Sequence, residues 1–194
     1  MSAPDREPTA TRPDDAADGA GAGGDDGDGA DGFVGVEESF DGVPAGEGLD
    51  PERVSIPAIG VDADVIDLGL NPDNTLEVPS DFSQTGWFER GSRPGERGAA
   101  IIAGHIDSTD GPAVFYRLAE LTKGAQIEVH SAEGETVTFA VERVEEYSKA
   151  EFPTQEVYSF TREPTLRLIT CGGPFDRTIG SYENNTIVYA RRIA

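Results

Sequence analysis

From Arg53 onward, apolar and polar positions alternate in short runs divided by turn residues. Val54-Ser-Ile-Pro-Ala-Ile-Gly60 and Val61-Asp-Ala-Asp-Val-Ile66 predict two strands parted by a glycine turn, and Pro57 confines the first to an edge or a strand end. Thr75-Leu-Glu-Val-Pro79 predicts another short strand after the turn residues Asn71-Pro-Asp-Asn74, and a long polar loop holding Trp87 and Phe88 follows. Ala99-Ala-Ile-Ile-Ala-Gly104 is continuously apolar, the pattern of a central strand buried on both faces. Val114, Leu118 and Leu121, with Phe115 close by, predict a helix over Ala113 to Thr122, about three turns long.

Ala125–His130 and Glu135–Val144 read as strands joined by a turn at Glu133-Gly134; a looser segment, Glu145 to Arg162, comes next. In Thr165-Leu-Arg-Leu-Ile-Thr-Cys171 the alternation sets Leu166 and Leu168 on one face, and Arg167, Ile169 and Cys171 on the other. An arginine is not expected to point into a core, so Cys171 is expected on the less buried face. Gly172-Gly-Pro174 should stop the strand at once. The last strand is Thr186-Ile-Val-Tyr-Ala190. About eight short strands with one or two helices predict a mostly β fold, a closed or nearly closed barrel.

Composition divides the chain. Residues 1–50 hold 14 of the 37 carboxylates but only two of the 15 Lys and Arg residues; residues 51–194 still carry 23 acids against 13 bases. The tail is Asp, Gly, Ala and Pro with few large apolar groups, too little to offset the entropy of ordering, and it is expected to be a disordered acidic tether. Its Asp-Gly pattern lacks the spaced glutamate and helices of an EF-hand. Phe33, Val34 and Val36 are the first residues with apolar surface to dock on a domain at 51–194.

The net charge of -22 repels nucleic acid and anionic lipid, which rules out both as main ligands; adaptation to high salt is an alternative cause of the same charge. No apolar run approaches the roughly 18 residues of a membrane span. The start has no basic, then apolar, signal pattern, so a soluble chain without a membrane anchor is expected. A single cysteine excludes an intramolecular disulfide and a multi-cysteine zinc site.

Of the two histidines, His130 ends an alternating strand among Glu128, Ser131 and Glu133 and reads as a solvated surface residue. His105 leaves the buried run through Gly104, and Cys171 leaves another strand. A lone cysteine is commonly an inert small hydrophobe. If the fold brings it to the imidazole, the pair would give a thiol nucleophile and its acid/base, the kit for acyl transfer.

Gly104-His-Ile-Asp-Ser108 upstream of Thr165-Leu-Arg-Leu-Ile-Thr-Cys171 resembles the sortases. Trp87-Phe88 ahead of the histidine strand and Gly172-Gly-Pro-Phe-Asp176 after the cysteine look most like the class F sortases of actinobacteria. The resemblance covers about residues 53–192. It implies an eight-stranded barrel and a cysteine transpeptidase that needs no cofactor or metal and acts on a Leu-Pro-x-Thr-Gly sorting signal at the cell surface. Cys171 would attack the threonine carbonyl, His105 would protonate the departing glycine amine, and an amine from a cell-wall precursor would release the product. Thr170 would help hold the substrate, and the Gly172 N–H would serve the oxyanion. The family arginine at the start of the final strand falls on Asn185, whose amide donates without charge. Arg177 in the loop between either supplies that charge or is a solvated loop residue. Family members normally cross the membrane once near the N-terminus; no such segment is visible here, as expected of an excised or misannotated ectodomain or of a soluble variant. A cysteine hydrolase of similar peptides and a catalytically decayed binding barrel are the rival readings.

Overall fold

The computed structural model describes residues 46–178 and 180–194. The first 45 residues of the predicted tail, with Phe33, Val34 and Val36, lie outside the described residues.

Eight strands close into a barrel. β1 (Arg53–Ile56) turns through a 3-10 turn, Pro57–Ile59, into β2 (Val61–Leu68). Gly60 carries that turn at φ 72, a left-handed conformation that glycine adopts without strain. β3 (Thr85–Phe88) lies parallel to β2 and antiparallel to β4 (Gly98–Gly104). A two-stranded ribbon, β5 (Asp107–Ser108) and β6 (Gly111–Pro112), follows. β7 (Gln126–His130) and β8 (Thr136–Ser148) form a hairpin, and α1 (Thr154–Tyr158) leads to β9 (Pro164–Asp176) and β10 (Ser181–Arg192). Around the barrel the order is β1-β2-β3-β4-β9-β10-β8-β7, and β7 closes on β1.

The side-chain period of two sorts residues between two cores. Val54, Ile56, Ala100, Ile102, Ile127, Phe139, Leu166, Leu168 and Val188 fill the barrel. Outside it, Ile101, Ile169, Ile187 and Tyr189 pack beneath Val157 of α1 and Phe152. β4 and β9 are therefore buried on both faces, as the continuous apolar run of β4 predicts.

Several local expectations are corrected. Thr75–Pro79 makes an isolated bridge, Leu70 to Leu76, and not a strand. Trp87 and Phe88 belong to β3, because Thr85–Phe88 fills the gap between β2 and β4. The predicted helix over 113–122 is reduced to a 3-10 turn, Leu118–Glu120. Its fully buried anchors Phe115 and Leu118, with Leu121, are spaced by three, the 3-10 period, not by 3.6. The looser segment 145–162 contains the end of β8, a 3-10 turn and α1. β9 does not stop at Gly172-Gly-Pro174 but runs on to Asp176, pairing with a β10 that begins at Ser181.

Arg167 is 6% exposed, contrary to the expectation for an arginine. Its guanidinium lies over one side of the Tyr189 ring at 4.6 Å, and Arg143 lies over the same ring at 3.6 Å. Cation–π contact replaces part of the lost hydration, but burial still pushes the Arg167 pKa down. Leu49, placed with the tail from composition, is buried at 4% and donates its N–H to Pro94.

Candidate active site

The end of β4 meets the middle of β9 and of β10 at one cavity. In the parallel β4–β9 ladder the last pair is Ala103 with Ile169, so one further step on each strand sets Gly104 beside Thr170, and the next brings His105 level with Cys171. On the other side of β9, Asn185 of β10 is the direct partner of Cys171. Opposed residues hold their Cβ atoms about 4.5–5.5 Å apart on one face of the sheet. The thiol is thus flanked by the imidazole-bearing strand exit and by an amide-bearing strand. Cys171 is half-buried, on the outer face, as the alternation predicts.

The cavity over this face has a volume of about 650 Å³. His105, Thr170, Cys171 and Asn185 form its floor; the 70–78 segment walls one side, and Phe152, Thr154 and Tyr158 the other. Internal bonds stiffen the first wall: Asn71 N–H to the Thr75 carbonyl at 2.9 Å, and Gly69 N–H to the Glu77 carboxylate at 2.8 Å. Leu70, Leu76, Val78 and Phe88 make much of the lining apolar, suited to the side chains of an extended peptide. Past Ile169 the edge of β9 that faced β4 has no strand beside it, and its backbone there is open to a ligand.

His105 is held by the loop that precedes β3. Its Nε2 lies 2.7 Å from the Pro79 carbonyl, and Phe82 packs against the ring at 4.5 Å between centroids. A carbonyl only accepts, so Nε2 carries a proton, and Nδ1 remains to take one up and release it. The backbone carbonyl of His105 accepts from Phe115 N–H at 2.9 Å. Gly104 is required beside it: a Cβ there would come within 2.7 Å of Phe115 and 2.8 Å of Val114.

Thr170 is 4% exposed, and its hydroxyl has no hydrogen-bond partner. Its side chain shares the inward face of β9 with Leu166 and Leu168, and a buried unsatisfied polar atom there costs about 1–3 kcal/mol. Gly172 is buried opposite Asn184, and a side chain there would strike Thr186 Oγ1 at 2.5 Å. Arg177 stands exposed in the turn between β9 and β10. It lies six positions beyond Cys171 along the hairpin, up to about 20 Å at strand rise, and it is not among the residues lining the cavity.

The sequence reading missed three contributors. Lys149 is the one lysine or arginine lining the cavity among the described residues, and its Nζ donates to Ser181 Oγ at 2.7 Å. Phe82 buttresses the imidazole across a loop contact that no local pattern signals. Tyr182 donates its hydroxyl to Asp107, which raises the phenol pKa to about 12; burial, the Asp107 charge and the nearby Cys171 push the same way.

The structure is thus a closed eight-stranded barrel with a thiol on β9 level with an imidazole just past the end of β4. The sortase domain model matches residues 54–193, and the chain belongs to the sortase family. Its fold is similar to sortase A from Corynebacterium diphtheriae, with a TM-score of 0.58 and 18% identity over 78% of this chain and 61% of that one. Sortase C-1 from Actinomyces oris gives 0.57 and 21%, over 75% and 76% of the two chains. Sortase C1 from Streptococcus agalactiae gives 0.57 and 18%, over 74% and 67%. At these identities the likeness is one of fold. No curated protein matches the sequence.

Proposed function

We propose that this protein is a sortase-type cysteine transpeptidase that cleaves a Leu-Pro-x-Thr-Gly-type signal between threonine and glycine and passes the acyl group to an amine of a cell-wall precursor. The observation that carries the reading is the convergence of His105, Cys171 and Asn185 on one cavity of mixed apolar and polar lining. In the first half-reaction Cys171 Sγ, as thiolate, adds to the threonine carbonyl carbon. The tetrahedral intermediate collapses, the C–N bond to glycine breaks, and the Nδ1–H of the His105 imidazolium gives its proton to the leaving amine. A thioester remains on Cys171. In the second half-reaction the acceptor amine adds to that thioester, its proton passes to Nδ1, and the thiolate leaves.

Asn185 donates its side-chain N–H to the substrate backbone or the oxyanion, in the place of the family arginine. Its support is the rigid ladder position opposite Cys171; Arg177 is the second candidate for that role, from an exposed turn. That Thr170 lines the cavity supports a substrate-holding role for it, and the Gly172 N–H is proposed as a further oxyanion donor. Assignment to the class F group rests on Trp87-Phe88 and Gly172-Gly-Pro-Phe-Asp176. Action at the cell surface follows from the same family reading; among the described residues no helix is long and apolar enough to cross a membrane.

Mass spectrometry after incubation with a Leu-Pro-x-Thr-Gly peptide, with and without an amine, tests this. A thioester adduct and an amine-dependent product are expected. Cleavage insensitive to amine would make the protein a hydrolase, and absence of any adduct would make it a binding barrel.

A further inference from the structure

His105 and Cys171 both lie beyond the last paired residues of β4 and β9, Ala103 and Ile169. Past that point no ladder fixes the distance between the two strand ends. His105 is restrained by segments other than β9: its ring by the Pro79 carbonyl and Phe82, its carbonyl by Phe115 N–H. The next residues are held the same way, with Ala113 N–H on the Ile106 carbonyl at 3.0 Å.

A side-chain bond spans the gap. Asp107, two residues past His105, accepts from the hydroxyl of Tyr182, three residues before Asn185 on β10. The hairpin is shaped to deliver that phenol. Tyr182 pairs with Phe175 while Asn184 pairs with Gly172, so β9 spends Gly173 and Pro174 where β10 spends Glu183 alone. This is a bulge, which bends a strand and re-aims its side chains. Gly173 permits it: its φ is 72, and a Cβ would lie 2.5 Å from Asn184 Nδ2. Phe175 packs edge-on against the Tyr182 ring at 5.1 Å and fixes its direction. A phenol donating to a carboxylate makes a charge-assisted bond, stronger than a neutral one.

We propose that Asp107 and Tyr182 are positioning residues that tie the histidine loop to the cysteine hairpin and so set the imidazole against the thiol. Neither touches the substrate; both act through His105. The inference rests on His105 and Cys171 working together as proposed above, and its test therefore includes a readout that needs no peptide.

The variants Tyr182→Phe and Asp107→Asn each remove the charge-assisted bond with little change of shape. Each is expected to lower kcat for peptide cleavage about 10- to 100-fold, the range of one lost acid–base alignment, with KM changed less than about twofold. Because they break the same bond, the double variant should be no worse than either single one. Without peptide, the rate of Cys171 alkylation by iodoacetamide at pH 7 should fall at least about threefold in each variant, as the thiolate loses its partner. Where melting falls, the same rates are read well below the new midpoint. Multiplying losses in the double variant, a loss confined to KM, or unchanged alkylation would each overturn the proposal. If the wild-type protein forms no thioester, the transpeptidase reading fails, and the alkylation rates alone decide whether the bridge positions the pair.

Discussion

β9 is two different strands in one. From Thr165 to Ile169 it is hydrogen-bonded to β4 on one edge and β10 on the other, with Leu166 and Leu168 inside the barrel and Arg167 and Ile169 beneath α1. From Thr170 to Asp176 only β10 remains beside it, and exposure rises toward the turn. The first half is paired with a strand on each edge and carries stability. The second half inherits its direction from the first and keeps one edge open, where an extended peptide can bond. Rigidity reaches the thiol through strand continuity, without the thiol being buried in the core. Stability and chemistry are thus separable along a single element, and substitutions should sort accordingly.

The sharpest separation is expected at the site itself. Cys171→Ala and His105→Ala should each abolish turnover, while the melting midpoint moves by no more than about 1–2 kcal/mol of stability, the ordinary range for a change outside the tightly packed core. Peptide cleavage and thermal unfolding of both variants check this. Unfolding of either variant would mean that the lip carries stability after all.

Three residues away on the same strand the effects should reverse. Leu168 is fully buried inside the barrel, and Leu168→Ala should cost about 2–5 kcal/mol through lost transfer energy and the cavity left behind. At temperatures where the variant stays folded, kcat/KM should be close to wild type. Arg167 is a subtler case on the outer face. Its buried charge is desolvated, so Arg167→Met, which keeps the packing, should be neutral or stabilising, whereas Arg167→Ala should destabilise. Denaturant unfolding of the three variants provides the comparison.

What the sequence made legible follows the same division. The stability half was readable, because period-two alternation reports burial directly: Leu166 and Leu168 inward, β4 apolar on both faces. The thiol and imidazole were readable because each follows such a run. Arg167 was misjudged because alternation reports the face and not what covers it, here Tyr189 and α1. Gly172-Gly-Pro174 was misread as a stop because a bulge and a terminator use the same residues, and only the partner strand tells them apart. The link between Asp107 and Tyr182 joins residues far apart in sequence and leaves no local trace. The 3-10 turn was legible in principle, from the spacing of three between Phe115, Leu118 and Leu121.

A smaller effect should distinguish the rigid and mobile candidates for the oxyanion partner. Asn185 sits on the ladder opposite Cys171, and a pre-aligned donor needs no reorganisation as charge develops. Asn185→Ala should therefore cost about 10²–10³ in kcat, as loss of one such donor does. Arg177→Ala, at the exposed turn, should change kcat/KM less than about threefold. A reversed ranking in steady-state kinetics would mean that the hairpin folds back over the site when peptide binds.

The smallest expected effect is a pH dependence at the far end of the open half. Tyr182 keeps its proton to about pH 12 in the folded protein, chiefly through the bond to Asp107. In the unfolded chain a tyrosine loses it near 10. A pKa raised by folding stabilises the protein fully below the unfolded value, and that contribution is lost as pH climbs through the folded one. The melting advantage of the wild type over Tyr182→Phe should be constant from pH 7 to 9 and shrink steadily between about pH 10 and 12. The phenol lies near the surface, where solvent screens the interaction, so the shift should be modest. Thermal unfolding of the two proteins across that range measures it, with the absorbance of tyrosinate as an independent titration. A difference that grows with alkalinity would show the bond to be absent in solution, and with it the coupling of the histidine loop to the cysteine hairpin.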